Sequence, residues 1–202
     1  MLATRNRGKF AEFRRLLGDR AGVELVCLED VAYQGDLPEP GTTYAENARA
    51  KAEAVGAATG LPALADDSGI EVPGLGGFPG PRSARWLGPD ATDRDRLLGL
   101  LARVAEQCPD DPRARYVAAV ALAREGAPTV TTTAGTAGRL VSPPRGERGF
   151  GYDPSFLSDE LGVTFGEAAD ELKDTVSHRG RALRLLVETG ALDAISGDRR
   201  PS

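Results

Sequence analysis

Two adjacent carboxylates, Asp66 and Asp67, are the residues best suited to chemistry in this chain. Ser68 and Gly69 follow as a small polar turn, and then a Gly/Pro-rich arm, Pro73 to Pro81, that is neither helix nor central strand. The apolar run Leu61 to Ala65 reads as the end of a buried strand. Two acids at a strand end, beside an irregular loop, stand where α/β proteins place ligands, although Asp beside Gly also marks ordinary turns. A second candidate lies at the start of the chain. Thr4-x-Asn6-x-x-Lys9 offers a hydroxyl, an amide and an ammonium at a turn, Arg5 to Gly8, that leads into a helix. Backbone N–H groups converge there and attract phosphate, although the pattern is not a Walker loop. A third is GFGYDP, Gly149 to Pro154, a glycine-flexed turn presenting Phe150 and Tyr152 with one acid, Asp153. An aromatic outside any periodic apolar run suits stacking on a planar ligand, or anchors a loop. Last, the only histidine, His178, precedes Arg179 in the first turn of a helix. Cations oppose the dipole there, a local violation of the kind found at ligand sites.

The elements that must position these groups follow from periodicity. Met1 to Thr4 reads as a strand stub, Lys9 to Leu17 as a helix with Phe10, Phe13, Leu16 and Leu17 on one side, and Val23 to Leu28 as a strand. Thr42 or Thr43 caps a helix to about Thr59, with Glu46 at the capping-box position and Asn47 and Lys51 one turn apart. Thr92 caps a helix through Gln107, with Leu97, Leu98, Leu100 and Leu101 as its apolar side. Ala114 to Ala123 and Thr129 to Val141 read as a long hairpin turning at Arg124 to Pro128. Thr164 to Leu172 reads as a short helical piece, and Ser177 caps a helix to about Thr189. The expected organisation is one domain over 1–196, with two lobes, and a disordered tail from Gly197 to Ser202.

Bulk properties narrow the function. The 202 residues are 41% hydrophobic and 27% charged, within the soluble globular range. Net charge is −5 and the pI about 5.1, which argues against nonspecific nucleic-acid binding. No run approaches a membrane span, and Cys27 and Cys108 suggest neither a disulfide framework nor a metal site. With no secretory signal after Met1, the expected location is the cytoplasm. Cations cluster locally, Arg5, Arg7 and Lys9 near one end and Lys173, His178 and Arg179 near the other.

Taken together, TRNRGK, ENARAKA, ADDSGIEV, LGGFPGPRSARW, GFGYDP and KDTVSHRGRAL, in that order, resemble the inosine triphosphate (dITP/XTP) pyrophosphatases, from Thr4 to about Leu186. The short first strand and the arginines around Asn6 depart from the family pattern. The resemblance implies an elongated two-lobed α/β fold around a mixed, twisted sheet with flanking helices, its site in the cleft, and a homodimer. It implies a Mg²⁺-dependent hydrolase that cuts the α–β phosphate bond of ITP, dITP or XTP. Glu46 and Asp67 are then the metal candidates, Asp66 supports them, and Asp67 activates water. Thr4, Asn6 and Lys9, with the N–H groups of Arg5, Arg7 and Gly8, hold the phosphate tail. Lys51 and Arg85 add cations, and Ser68 donates to a phosphate oxygen. Phe150, in the loop with Gly151 and Tyr152, stacks on the purine. Asp153 accepts from N1–H, and Lys173, His178 and Arg179 donate to the 6-oxo group and N7. Adenine lacks both features, and unpaired buried polar groups discriminate by on the order of 10⁴. The alternatives are a same-fold enzyme for other modified nucleotides, or a nucleotide-binding regulator without turnover.

Overall fold

The computed structural model describes residues 1–18 and 23–196, so the expected tail from Gly197 to Ser202 lies outside the described residues. Helix α1 spans Arg7–Leu17 and is capped by the Asn6 side chain, which accepts from the Lys9 N–H. Helix α2, Tyr44–Thr59, starts in the expected capping box of Thr43 and Glu46 and ends at left-handed Gly60. Strand β1, Ala63–Val72, leads through short 3₁₀ turns at Pro73–Leu75 and Gly80–Arg82 that flank the two-residue strand β2, Phe78–Pro79. Helix α3, Asp93–Gln107, opens with a second capping box, Thr92 and Asp95. The long hairpin is present as β3, Arg113–Arg124, and β4, Ala127–Leu140. A 3₁₀ turn at Asp153–Ser155, strand β5 (Phe156–Ser158) and helices α4 (Asp170–Val176), α5 (His178–Glu188) and α6 (Asp193–Ser196) complete the order.

The strands form one sheet in the order β2-β1-β3-β4-β5. β1–β2 and β4–β5 pair antiparallel, β3 and β4 are joined by a two-residue turn, and outside these strands Leu2 makes an isolated parallel bridge to Leu64. The chain divides into two compact units. The first comprises Met1–Asp67, Ala118–Ala134 and Arg179–Ser202, and the second Ser68–Val117 and Gly135–His178. Leu2, Phe13, Leu17, Leu64, Val120 and Leu186 are core residues of the first. Ile70, Val72, Leu100, Tyr116, Phe156 and Phe165 are core residues of the second.

Four expectations are corrected. Asp66 and Asp67 do not sit at a strand end: β1 continues past them to Val72, and Ser68 and Gly69 are strand residues. Gly69 is needed there, since a Cβ would lie 2.4 Å from both the Gly80 carbonyl oxygen and Ser83 Oγ. Val23 to Leu28 is not a strand and Met1 to Thr4 contributes a single bridge. The stub offers too few partners for a ladder, leaving one bond from Leu2 N–H to the Val26 carbonyl at 2.9 Å. Thr164 to Leu172 is helical only from Asp170. Its first residues form a turn in which Thr164 Oγ1 accepts from Glu167 N–H at 3.1 Å, while Glu167 Oε2 accepts from Thr164 N–H at 2.9 Å.

Candidate active site

Adjacent residues of a strand point to opposite faces, so two consecutive acids in β1 meet two different sets of partners. Asp66 meets α1 and α5. Lys9 Nζ lies 3.0 Å from its Oδ1, and Arg179 Nε donates to Oδ2 at 3.2 Å. Arg179 also donates through NH1 to Glu12 Oε2 at 3.0 Å, so a chain of alternating charge runs from the half-buried Lys9 through the buried Asp66 and Arg179 to Glu12. Asp67 meets α2. Asn47 Nδ2 donates to its Oδ2 and Lys51 Nζ to its Oδ1, both at 3.1 Å. Asn47 and Lys51, one helical turn apart, share that face as their spacing predicts. Lys51 also donates to Glu39 Oε1 at 2.9 Å.

These surroundings drive the two carboxyls apart. Burial works to raise Asp66, but the cations of Lys9, Arg179 and Lys51 outweigh it and hold the group ionised, well below the ordinary carboxylate range. Burial raises Asp67 above its ordinary value, against the opposition of Lys51 and Asn47. Burial lowers Lys9 in spite of Asp66. For Lys51 burial is outweighed by Asp67, Asp66 and Glu39, and its value is raised. A pair of acids tuned in opposite senses can divide the work, one staying charged and the other exchanging a proton.

The second unit holds a separate polar cluster. Asp153 is 3% exposed. Its Oδ2 accepts from Lys173 Nζ at 2.7 Å and from the Phe150 N–H at 3.0 Å, and its Oδ1 accepts from the Tyr116 hydroxyl at 3.0 Å. Gly149 has φ +72°, and a Cβ there would lie 2.1 Å from Asp153 Oδ2, which is why a glycine precedes Phe150. His178 is buried, with its ring stacked on Tyr116 at a 4.5 Å centroid separation and 5° between planes. Lys173 Nζ lies 5.6 Å from the centre of the half-buried Phe150 ring.

The expected residues therefore fall into two sets. Thr4, Asn6, Lys9, Lys51, Asp66 and Asp67 gather in the first unit, and Phe150, Asp153, Lys173 and His178 in the second. Arg179, expected among the base-reading donors, is bonded to Asp66 and Glu12. Thr4 and Asn6 are engaged in the entry to α1: Thr4 Oγ1 accepts from Asn6 N–H at 3.2 Å, and Asn6 Oδ1 accepts from Lys9 N–H at 3.0 Å. Arg5 donates to the Gly35 carbonyl at 2.7 Å, and Arg7 and Gly8 begin α1. Ser68 is half-buried beside Asp67, and Arg85 is exposed in the second unit. Glu46 Oε2 accepts from the N–H groups of Thr42 and Thr43 at 2.9 and 3.0 Å, the capping arrangement. The Tyr152 side chain is not exposed on the loop. It is buried in the core, its hydroxyl donates to the Ser83 carbonyl at 2.7 Å and accepts from Trp86 Nε1 at 2.8 Å, and burial pushes it up to about 12.

Sequence reasoning missed Glu12, Glu39 and Tyr116. Glu12 is three residues from Lys9 on α1, a spacing that could have placed both on one helix face.

The sequence profile of the Ham1 family matches residues 1–189. A protein named dITP/XTP pyrophosphatase from Mycolicibacterium paratuberculosis is 48% identical over 192 residues, 93% of each chain. Another of that name, from Nocardia farcinica, is 46% identical over 190 residues, covering 93% of this chain and 92% of its own. The solved structure of a HAM1 protein from Coxiella burnetii superposes with a TM-score of 0.83 at 34% identity, over 94% of this chain and 98% of its own.

Proposed function

The chain belongs to the Ham1 family, and from that premise we propose that it hydrolyses deaminated purine nucleoside triphosphates, ITP, dITP and XTP, to the nucleoside monophosphate and pyrophosphate. The names of the relatives support the substrate class. The observation that carries the chemistry is that Asp66 and Asp67, adjacent in one strand, meet different partners, Lys9 and Arg179 for the first and Asn47 and Lys51 for the second.

Asp67 is the general base. Its carboxyl, raised by burial, takes the proton of the attacking water more readily than an ordinary aspartate. Asp66 stays ionised and holds Lys9 and Arg179 in place. Lys9, Lys51 and Arg179 neutralise the phosphate chain and the charge that develops on the bridging oxygen as pyrophosphate leaves. Residues for a divalent cation are present. Asp67 and Glu39 both lie within hydrogen-bond reach of Lys51 Nζ, and Asp67 uses two of its roughly four lone-pair sites on protein donors. Among the described residues no three His, Cys, Asp or Glu side chains form a protein-only metal cage. One or two carboxylates completed by phosphate oxygens suit Mg²⁺, which when bound would neutralise charge on the phosphates. Asp67 with Glu39 is that pair, and Glu46 is left to the helix cap.

In the second unit, Asp153 accepts from N1–H of a 6-oxopurine, Lys173 and His178 donate to its 6-oxo group and N7, and Phe150 stacks on the ring. The test is product analysis with purified protein, Mg²⁺ and ITP, XTP, GTP or ATP. IMP and pyrophosphate from ITP, with little from ATP or GTP, are expected. Orthophosphate release, or equal turnover of ATP, refutes the reading. The resemblance also implies a cytoplasmic location and a homodimer, and sedimentation at micromolar concentration tests the second.

A further inference from the structure

Tyr116 touches two of the three polar groups that face the base in this reading, Asp153 and His178, yet it belongs to no sequence motif. It lies in β3, where alternation turns Ala114, Tyr116 and Ala118 to the buried side. Its hydroxyl donates to Asp153 Oδ1 at 3.0 Å. Its ring stacks on His178, and it also packs against Phe156 and Phe165, with centroid separations of 4.6 and 5.9 Å.

The hydrogen bonds of Asp153 give this contact a consequence. Lys173 and the Phe150 N–H both use Oδ2, whereas Tyr116 is the donor to Oδ1. A carboxylate oxygen has two acceptor positions. Oδ1 is thus the oxygen that keeps one open, and the Tyr116 hydroxyl decides which way that position points. The flat stack does the same for the imidazole of His178, whose ring plane fixes the direction of its N–H groups.

We propose that Tyr116 is a positioning residue for base discrimination: its hydroxyl aims the acceptor of Asp153, and its ring aims the donor of His178. This rests on the pyrophosphatase reading above. Tyr116→Phe removes the hydroxyl and keeps the stack, and Tyr116→Leu removes both.

The experiment measures kcat and KM for ITP and ATP, with melting temperature, for the wild type and both variants. Tyr116→Phe is expected to raise KM for ITP about 10-fold with kcat within 2-fold, and to lower the ITP/ATP ratio of kcat/KM about 10-fold, the scale of one bond to a charged group. Tyr116→Leu is expected to lower the ratio further. If that variant does not fold, Tyr116→Phe carries the test alone. Wild-type KM and ITP/ATP ratio in Tyr116→Phe, at any melting temperature, leave Tyr116 as packing and overturn the proposal. A wild-type protein that yields no pyrophosphate from ITP overturns this proposal together with the function it rests on, so the two failures are distinct.

Discussion

At the scale of single residues, the decisive feature is that neighbours in one strand are given opposite electrostatic surroundings. Asp67→Asn keeps the shape and an acceptor for Lys51 but cannot take a proton. Turnover of ITP should fall about 10²- to 10⁴-fold with little change in melting temperature; near wild-type kcat would remove Asp67 as the base. Asp66→Asn removes an anion shared by Lys9 and Arg179. Arg179 keeps Glu12, but Lys9 loses its anion, and removing one partner of such a buried pairing costs up to about 3–5 kcal/mol, or on the order of 10 °C in a chain of this size. The sign with pH is definite. Asp66 is depressed in the folded protein, so the unfolded chain binds its proton first as pH falls. Its stabilisation is present above about pH 4 and is lost as pH drops toward the folded value. Melting curves between about pH 2 and 5 should be flatter for Asp66→Asn than for wild type; equal slopes would mean that the pairing with Lys9 and Arg179 contributes nothing. Asp66 and Asp67 were legible because they are adjacent acids in a short motif. Glu12 was not, because its partner Arg179 lies 167 residues further along the chain. Nor was Tyr116, which reads as one more apolar position of a strand.

Among the elements, helices were the more legible, because their caps are local. Thr43 with Glu46 and Thr92 with Asp95 close within four residues, and both helices begin where their threonine caps predict. Strand limits were less so. β1 was cut short at Ala65 because Asp-Asp-Ser-Gly has turn composition, whereas burial of the acids among cations and the close approach of the Gly80 carbonyl keep it extended. The cap also separates two roles for Glu46. Thr43→Ala removes the cap hydroxyl and should cost about 1 kcal/mol, or roughly 2–4 °C, with kinetics unchanged. Glu46→Gln should likewise leave the Mg²⁺ concentration for half-maximal activity unchanged, whereas Glu39→Gln should raise it several-fold. A Mg²⁺ titration that shifts with Glu46→Gln and not with Glu39→Gln would return the metal role to α2.

For the whole molecule, the class of fold was legible and the strand order was not. Composition, length and the turn between them find β3 and β4 as a hairpin, but nothing local says that β1 lies beside β3, since that pairing joins residues far apart in sequence. The same order bears on cooperativity. The division into two units falls inside β1 after Asp67, inside β3 after Val117 and inside β4 after Ala134. Three uninterrupted strands therefore supply core residues to both units, as Leu64 and Ile70 of β1 and Val120 and Tyr116 of β3 illustrate. Separately stable domains meet in exposed linkers instead. Unfolding one unit would fray the strands on which the other depends, so the described chain should melt in a single transition. Its calorimetric enthalpy should be about 140 kcal/mol for 202 residues and should equal the van't Hoff value. A van't Hoff enthalpy near half the calorimetric one, or two resolved heat-absorption peaks, would mean that the units melt independently and that strand continuity does not couple them.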